Sequence, residues 1–227
     1  MQTHDLTHEA LRPQRGGGAA LLTLCGIALA AALSGCASSP PARTQVIIPS
    51  LPPLVATTAS APGGANAAPA SAVTGVVLGI VGVPEYWQQR TVRYQGHDAV
   101  LAAWPNAVWA ERVEVGMTRR LSQALRAQVP ALGWWQADDL RAPLRLLVDV
   151  EQLDIDPQAG VLRSRVTWRL LDRQAQVKGR DTVNSQQPVA VHNASEQAEV
   201  MGQWLDGLAA QIAPQVQRAQ QASAGGG

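Results

Sequence analysis

Between Ser38 and Ala72 the chain carries seven prolines, Pro40, Pro41, Pro49, Pro52, Pro53, Pro62 and Pro69, and one charged residue, Arg43. Ala, Ser, Thr and Gly fill most of the rest. A segment of this composition cannot bury enough apolar surface to offset the entropy of ordering it. It therefore divides the chain, and a packed core has to be built from Val73 onward. The expectation is a flexible, partly extended spacer, which at roughly 3 Å per residue would span on the order of 100 Å. One patch inside it, Gln45-Val46-Ile47-Ile48, is β-branched enough to add an edge strand to the folded domain before Pro49 stops it.

The part before the spacer reads as an export and anchoring signal. Arg12 and Arg15 form a positive head, and Ala19 to Leu33 is an apolar core rich in Ala and Leu, too short for a confident membrane span. Leu33-Ser34-Gly35-Cys36 closes it. Ser34 and Gly35 present little bulk before the cut, and the Cys36 thiol can carry a diacylglycerol while its freed amine takes a further acyl chain. The tetrapeptide is similar to the bacterial lipobox at each position. Several chains, at about 0.8 kcal/mol per buried CH₂, hold far better than one. The mature protein is expected to begin at Cys36, and by resemblance to the sorting rule of enteric bacteria Ala37, rather than Asp, after the cysteine points to the outer membrane, facing the periplasm.

The other thiol, Cys25, lies in the discarded core, so neither a disulfide nor a CxxC metal or redox site is available to the mature chain. His4 and His8 leave with the signal. His97 and His192 remain, far apart in sequence and better read as surface residues than as ligands.

Val73 to about Arg218 is one domain's worth of chain, and residues 219–227 are expected to be a disordered tail. The full chain has no phenylalanine, seven tryptophans and a single lysine, Lys178, so aromatic bulk in a core comes from Trp and the two tyrosines. A formal charge of +1 with dispersed arginines offers no nucleic-acid surface.

The domain alternates strand and helix signals. Val73 to Val83 is a β-branched run ended by Pro84, suited to a central strand buried on both faces. Trp87 to Tyr94 and Ala99 to Trp104 flank Gly96-His97-Asp98 as a hairpin. Asn106 is placed to cap a helix whose stripe is Trp109, Val113, Met117, Leu121 and Leu125, with Glu111, Glu114, Arg119, Arg120 and Arg126 off it, and which Pro130 ends. Leu144, Leu146, Val148 and Val150 then alternate until the phase shifts to Leu153 and Ile155, which predicts a bulge near Glu151 or Gln152. After a turn at Asp156 to Gly160, Leu162, Ser164, Val166, Trp168 and Leu170 share one face and Arg163, Arg165, Thr167 and Arg169 the other. Gln176 to Val183 completes an antiparallel meander. Asn193 with Glu196 makes a capping box for a last amphipathic helix through Val200, Trp204, Leu208 and Ile212, widened by Met201 and Leu205. The economical architecture is α+β: a two-layer sandwich of a mostly antiparallel sheet with two amphipathic helices on one face.

Catalytic patterns are absent from the sequence: no GxSxG elbow, no Walker loop, no HExxH. Gly75, Gly79 and Gly82 lie inside a strand run rather than a phosphate loop. Asp138-Asp139, and Asp154 with Asp156, sit beside turn signals, where solvated and capping roles are the commoner ones. The arginine row of residues 163–169 reads as a solvated sheet face, with a contact to lipid phosphate or an acidic partner as the competing reading.

Two stretches carry a family resemblance. Leu78-Gly79-Ile80-Val81-Gly82-Val83-Pro84-Glu85-Tyr86-Trp87 resembles the strand and valine-x-proline-x-tyrosine opening of the ABC-type transport auxiliary lipoproteins, the paraquat-inducible protein C type. Trp109-Ala110-Glu111 leading into Met117-Thr118-Arg119-Arg120-Leu121 is similar to that family's tryptophan-alanine-glutamate helix, with departures at Val108, where arginine is usual, and at Arg112, where proline is common. The resemblance implies a fold similar to the amino-terminal domain of TolB-like proteins and a non-enzymatic subunit of an envelope lipid-transport system without a cofactor. It further implies a periplasmic MCE-domain protein and an inner-membrane transporter as partners, and makes a homo-oligomeric ring plausible. A generic outer-membrane assembly or envelope-maintenance lipoprotein is the alternative.

Overall fold

The computed structural model describes residues 41–52, 75–96, 100–130, 132–135 and 142–224. The signal segment, with Leu33, Ser34, Gly35 and Cys36, lies outside them, as do most of the spacer, His97 and Asp138-Asp139.

Among the described residues, eight strands form two sheets. The larger has the order β5-β2-β6-β7-β8, built from β2 (Gly75–Leu78), β5 (Gly133–Trp135), β6 (Leu144–Asp156), β7 (Val161–Asp172) and β8 (Val177–Pro188). Strand β2 is buried along its whole length and runs parallel to both β5 and β6, so the β-branched run does become an interior strand, though a short one. Strands β6, β7 and β8 are the expected antiparallel meander. The register shifts between Val150 and Gln152, which leaves Glu151 as the bulge and lets both Leu144–Val150 and Leu153–Ile155 point into the core. The turn after β6 uses Gly160 at φ 65°, and Asp156 Oδ1 accepts bonds from the Gln158 and Ala159 amides.

The smaller sheet has the order β1-β4-β3, with β1 at Thr44–Val46, β3 at Thr91–Gln95 and β4 at Leu101–Trp109. Strands β3 and β4 are the expected hairpin, but Trp87 belongs to a short 3-10 turn and β4 runs on through Trp109. Asn106 therefore caps nothing. It sits within β4 at φ 56°, a left-handed conformation asparagine tolerates better than most side chains. Trp109 is a buried strand residue, held by its amide bond to the Arg90 carbonyl, and not the first rung of a helix.

Helix α1 spans Val113–Gln128 and buries Val113, Met117, Leu121 and Leu125 as the stripe requires. Helix α2 spans Ala194–Ala224. Its capping box is in place: the Glu196 amide donates to Asn193 Oδ1 at 2.9 Å, and the Glu196 carboxylate accepts from the His192 amide at 2.7 Å. The helix passes through Pro214 and takes in most of the segment expected to be a disordered tail. Val216 and Ala219 lie buried beyond the proline, and that packing offsets the roughly 3 kcal/mol a helix-interior proline costs. Helices α1 and α2 pack on each other, and Trp204 of α2 donates its indole N–H to Ser164 Oγ at 2.9 Å, which places α2 over the apolar face of β7. The described residues of the unit from Ala42 onward thus form an α+β sandwich of a mostly antiparallel sheet and two helices, to which the small sheet is added.

Candidate functional site

The segment that follows the expected lipidation site enters the fold far earlier than its proline content predicts. Strand β1 pairs in parallel with β4, Thr44 beside Ala107 and Val46 beside Trp109, and the Ala110 amide donates to the Val46 carbonyl at 2.9 Å. Ile48 is 1% exposed and Val46 5%, so both belong to the core. The edge strand expected at Gln45 to Ile48 within the spacer is formed as β1, and the folded unit takes in Thr44 to Leu51. Val46 and Ile48 bury on one side while Ile47 faces out, and Pro49 falls after the strand, where no ladder bond is lost.

Two adjacent arginines of α1 hold the stretch that Pro49 opens. Arg119 donates to the Ile48 carbonyl at 2.8 Å and pairs with Glu111 at 2.7 Å. Arg120 donates to the Pro49 carbonyl at 3.0 Å and forks onto Asp206 of α2, Nε to Oδ1 at 2.8 Å and Nη2 to Oδ2 at 2.5 Å. The Leu51 amide donates to Gln123 Oε1 at 2.9 Å. Carbonyls that a proline-rich segment leaves unpaired are thereby satisfied by a planar, always-charged donor. Gly202 lies beside the clamp, where a Cβ would make ordinary contact with the Arg120 guanidinium at 3.8 Å and with Pro49 at 3.9 Å. Arg120, read from the sequence as lying off the apolar stripe, is only 8% exposed. No spacing in the chain pairs Arg120 with Asp206, and the Arg119-Arg120 doublet was the only available sign of this clamp.

The clamp sets a limit on reach. Cys36 precedes Thr44 by eight residues, and at 3.3–3.6 Å per residue that connection spans at most about 28 Å.

The other candidates resolve individually. Arg163, Arg165 and Arg169 share the outer sheet face with carboxylates of β6: Arg169 lies 3.5 Å from Asp149, Arg163 is in register with Asp154, and Glu151 accepts from Thr167 at 2.6 Å. Arg165 donates to Asn184 at 3.0 Å. The row is charge-balanced and solvated, which favours the bland reading over a phosphate contact. Gly79 and Gly82 donate their amides to the Leu146 and Val148 carbonyls, so they serve strand packing. His192 is exposed beside the α2 cap. Lys178 is bound to Asp172 at 3.0 Å, and this bond, with the Gln174 and Gln176 amides, holds the Asp172 carboxyl below its usual range. An open cleft of about 370 Å³ lies where β1 begins, lined by Thr44, Trp104, Pro105, Ala107, His192 and Asn193 among others. Among the described residues no group of His, Cys, Asp and Glu is arranged to hold a metal.

A family model described as "ABC-type transport auxiliary lipoprotein component" matches residues 57–213. No curated protein matches the chain. Among solved structures, an uncharacterized protein is 22% identical with a TM-score of 0.55, over 63% of this chain and 93% of that one. A Xanthomonas campestris protein is 13% identical with a TM-score of 0.53, over 66% and 86%. These two likenesses concern the fold. PelC from Paraburkholderia phytofirmans, crystallised as a dodecamer, is 15% identical with a TM-score of 0.39, too distant for its assembly to bear on this chain.

Proposed function

Since the chain belongs to the ABC-type transport auxiliary lipoproteins, its family model covering residues 57–213, we propose that it docks a periplasmic MCE-domain protein at the outer membrane. As a family member it is an outer-membrane lipoprotein component of an ABC/MCE-type transport system and a non-catalytic one. The proposal adds the cargo, a membrane lipid moving between the two membranes, and the partners, the MCE-domain protein and an inner-membrane transporter. It also adds Cys36 as the acylated residue of the lipobox Leu33-Ser34-Gly35-Cys36, a fold of the TolB amino-terminal type, and a homo-oligomeric ring as the form in which the docking surface is presented.

The family match carries this reading, and the clamp on Thr44 to Leu51 supports a specific mechanics for it. A domain on a connection of about 28 Å works at the membrane surface, so the partner has to come to the outer membrane. Confinement raises the effective concentration of the domain there, and the individual contact can be weak.

Crosslinking in intact cells, followed by purification of the tagged, anchored protein, tests the reading. Recovery of an MCE-domain protein is the expected result. Recovery of outer-membrane assembly or cell-wall proteins in its place would transfer the chain to the generic envelope-assembly class.

A further inference from the structure

We propose that the open edge of β8 takes an extended, acidic segment of a partner protein as an added strand, with a partner carboxylate set against Arg180. The surface lies wholly within the unit from Ala42 onward, and it depends neither on the anchor at Cys36 nor on which protein supplies the segment.

Strand β8 closes one side of the larger sheet, runs for 12 residues and has no buried residue. The other sheet edges among the described residues offer far less. Strands β1 and β5 have three residues each, and on β3 the Arg93 carbonyl already accepts from Gln197 at 2.7 Å. The ladder with β7 decides which backbone groups of β8 face out. The Val189 amide donates to the Gly160 carbonyl at 2.9 Å, one step beyond the Val161–Pro188 pair, and antiparallel bonds return at every second pair. Gly179, Asp181, Val183, Ser185 and Gln187 thus direct their backbone groups to β7, while Arg180, Thr182, Asn184 and Gln186 turn theirs outward. The Thr182 amide, outside the ladder, donates to Asp181 Oδ1 at 2.8 Å. The amides of Arg180, Asn184 and Gln186, and the carbonyls of all four residues, are left for an incoming strand. Lys178, the register shift beside it and Pro188 blunt the two ends of this edge. Between them, Thr182 to Gln187 carries no charge, no proline and no bulge.

Charge then selects the occupant. On the outer face, the carboxylates of β6 stand against the arginines of β7, Asp149 lying 3.5 Å from Arg169 and Asp154 in register with Arg163. That alternation stops at β8, where Arg180 is directly opposite Arg169. Like charges so placed repel, and Arg180 has no ion pair among the described residues. A carboxylate on the next strand out, opposite Arg180, restores the alternation. A second β8 added antiparallel cannot supply it. The residues it can set opposite Arg180 are those whose own backbone groups face out, and Arg180, Thr182, Asn184 and Gln186 include no acid. Asp181 has the other parity and is engaged by the Thr182 amide and by Gln215 of α2. Backbone bonds of an added strand supply affinity, and the carboxylate supplies the selection.

The test uses the full chain in detergent and two short capped peptides of alternating threonine and valine, one with a central aspartate and one with asparagine in its place. Binding is followed by calorimetric titration and by amide hydrogen exchange. The aspartate peptide is expected to slow exchange at Arg180, Asn184 and Gln186 and to leave Val183 and Ser185 unchanged. It is expected to bind about threefold more tightly than the asparagine peptide, the size of an exposed ion pair. Arg180→Gln should abolish that preference and keep the binding. Asn184→Pro removes an amide outside the ladder, so it should abolish binding of both peptides at an unfolding midpoint close to that of the unaltered chain. The Arg180→Gln comparison stands whether or not the proline variant folds. Equal binding of the two peptides to the unaltered chain overturns the acidic partner, and no binding, or protection at other amides, overturns the edge site. Protection of Arg180, Asn184 and Gln186 that grows with protein concentration in the absence of peptide assigns the edge to a second copy and likewise overturns the proposal.

Discussion

Arg120 joins three parts of the chain that are distant in sequence: the stretch before Leu51, α1 and α2. Replacing it with alanine removes the fork to Asp206 and leaves the Pro49 carbonyl without its donor. The expected cost of Arg120→Ala is about 2 kcal/mol, less than for a fully buried pair because water still reaches Asp206, read as a lower guanidinium chloride midpoint. Arg120→Lys keeps the charge but not the planar fork, so it should recover only part of that stability. Lys178 and Asp172 make a surface pair whose effect is on titration. Because folding lowers the Asp172 pKa below 3.8, its contribution is present above that value and is lost as pH falls through the folded-state pKa. Lys178→Met removes the largest cause of the lowering. The Asp172 carboxyl resonance, followed by NMR, should then titrate closer to 3.8.

Among the elements, α2 was the most legible, because its cap and its stripe are both local patterns. Asn193→Ala should cost about 1 kcal/mol in thermal or denaturant unfolding, with the loss confined to the first turn in hydrogen exchange. The meander and its bulge at Glu151 could likewise be read from alternation and its change of phase. Where the reading went wrong, a partner remote in sequence decided the structure. Trp109 fits a helical period, yet β1 and Arg90 hold it in a strand. Residues 219–227 read as a tail on local grounds, yet the helix continues through Pro214 to Ala224 because Val216 and Ala219 find a buried face. Strand β5 is three residues long, and nothing local distinguishes Gly133-Trp134-Trp135 from a loop. Of the candidate site, the proposed lipobox is a local motif. The clamp is not, since it depends on Arg120 meeting Asp206.

For the whole molecule, the proposed anchoring at Cys36 is expected to be separable from folding. Cys36→Ala should leave an unfolding midpoint equal to that of the acylated protein measured in detergent, while the chain appears in the soluble periplasmic fraction; retention in the outer membrane would contradict the anchor at Cys36. The parallel pairing of β1 with β4 also has a consequence for biogenesis. Export delivers the chain amino terminus first, and β1 is among the first parts to emerge. Its partners follow much later: Trp109, then Arg120, and Asp206 almost at the end. This first segment must therefore wait, unpaired, while nearly the whole domain is threaded through, and the native state closes only when the last helix arrives. Assembly of this fold is thus vectorial in delivery but post-translocational in completion, and the nascent chain is exposed to periplasmic chaperones and proteases throughout that interval.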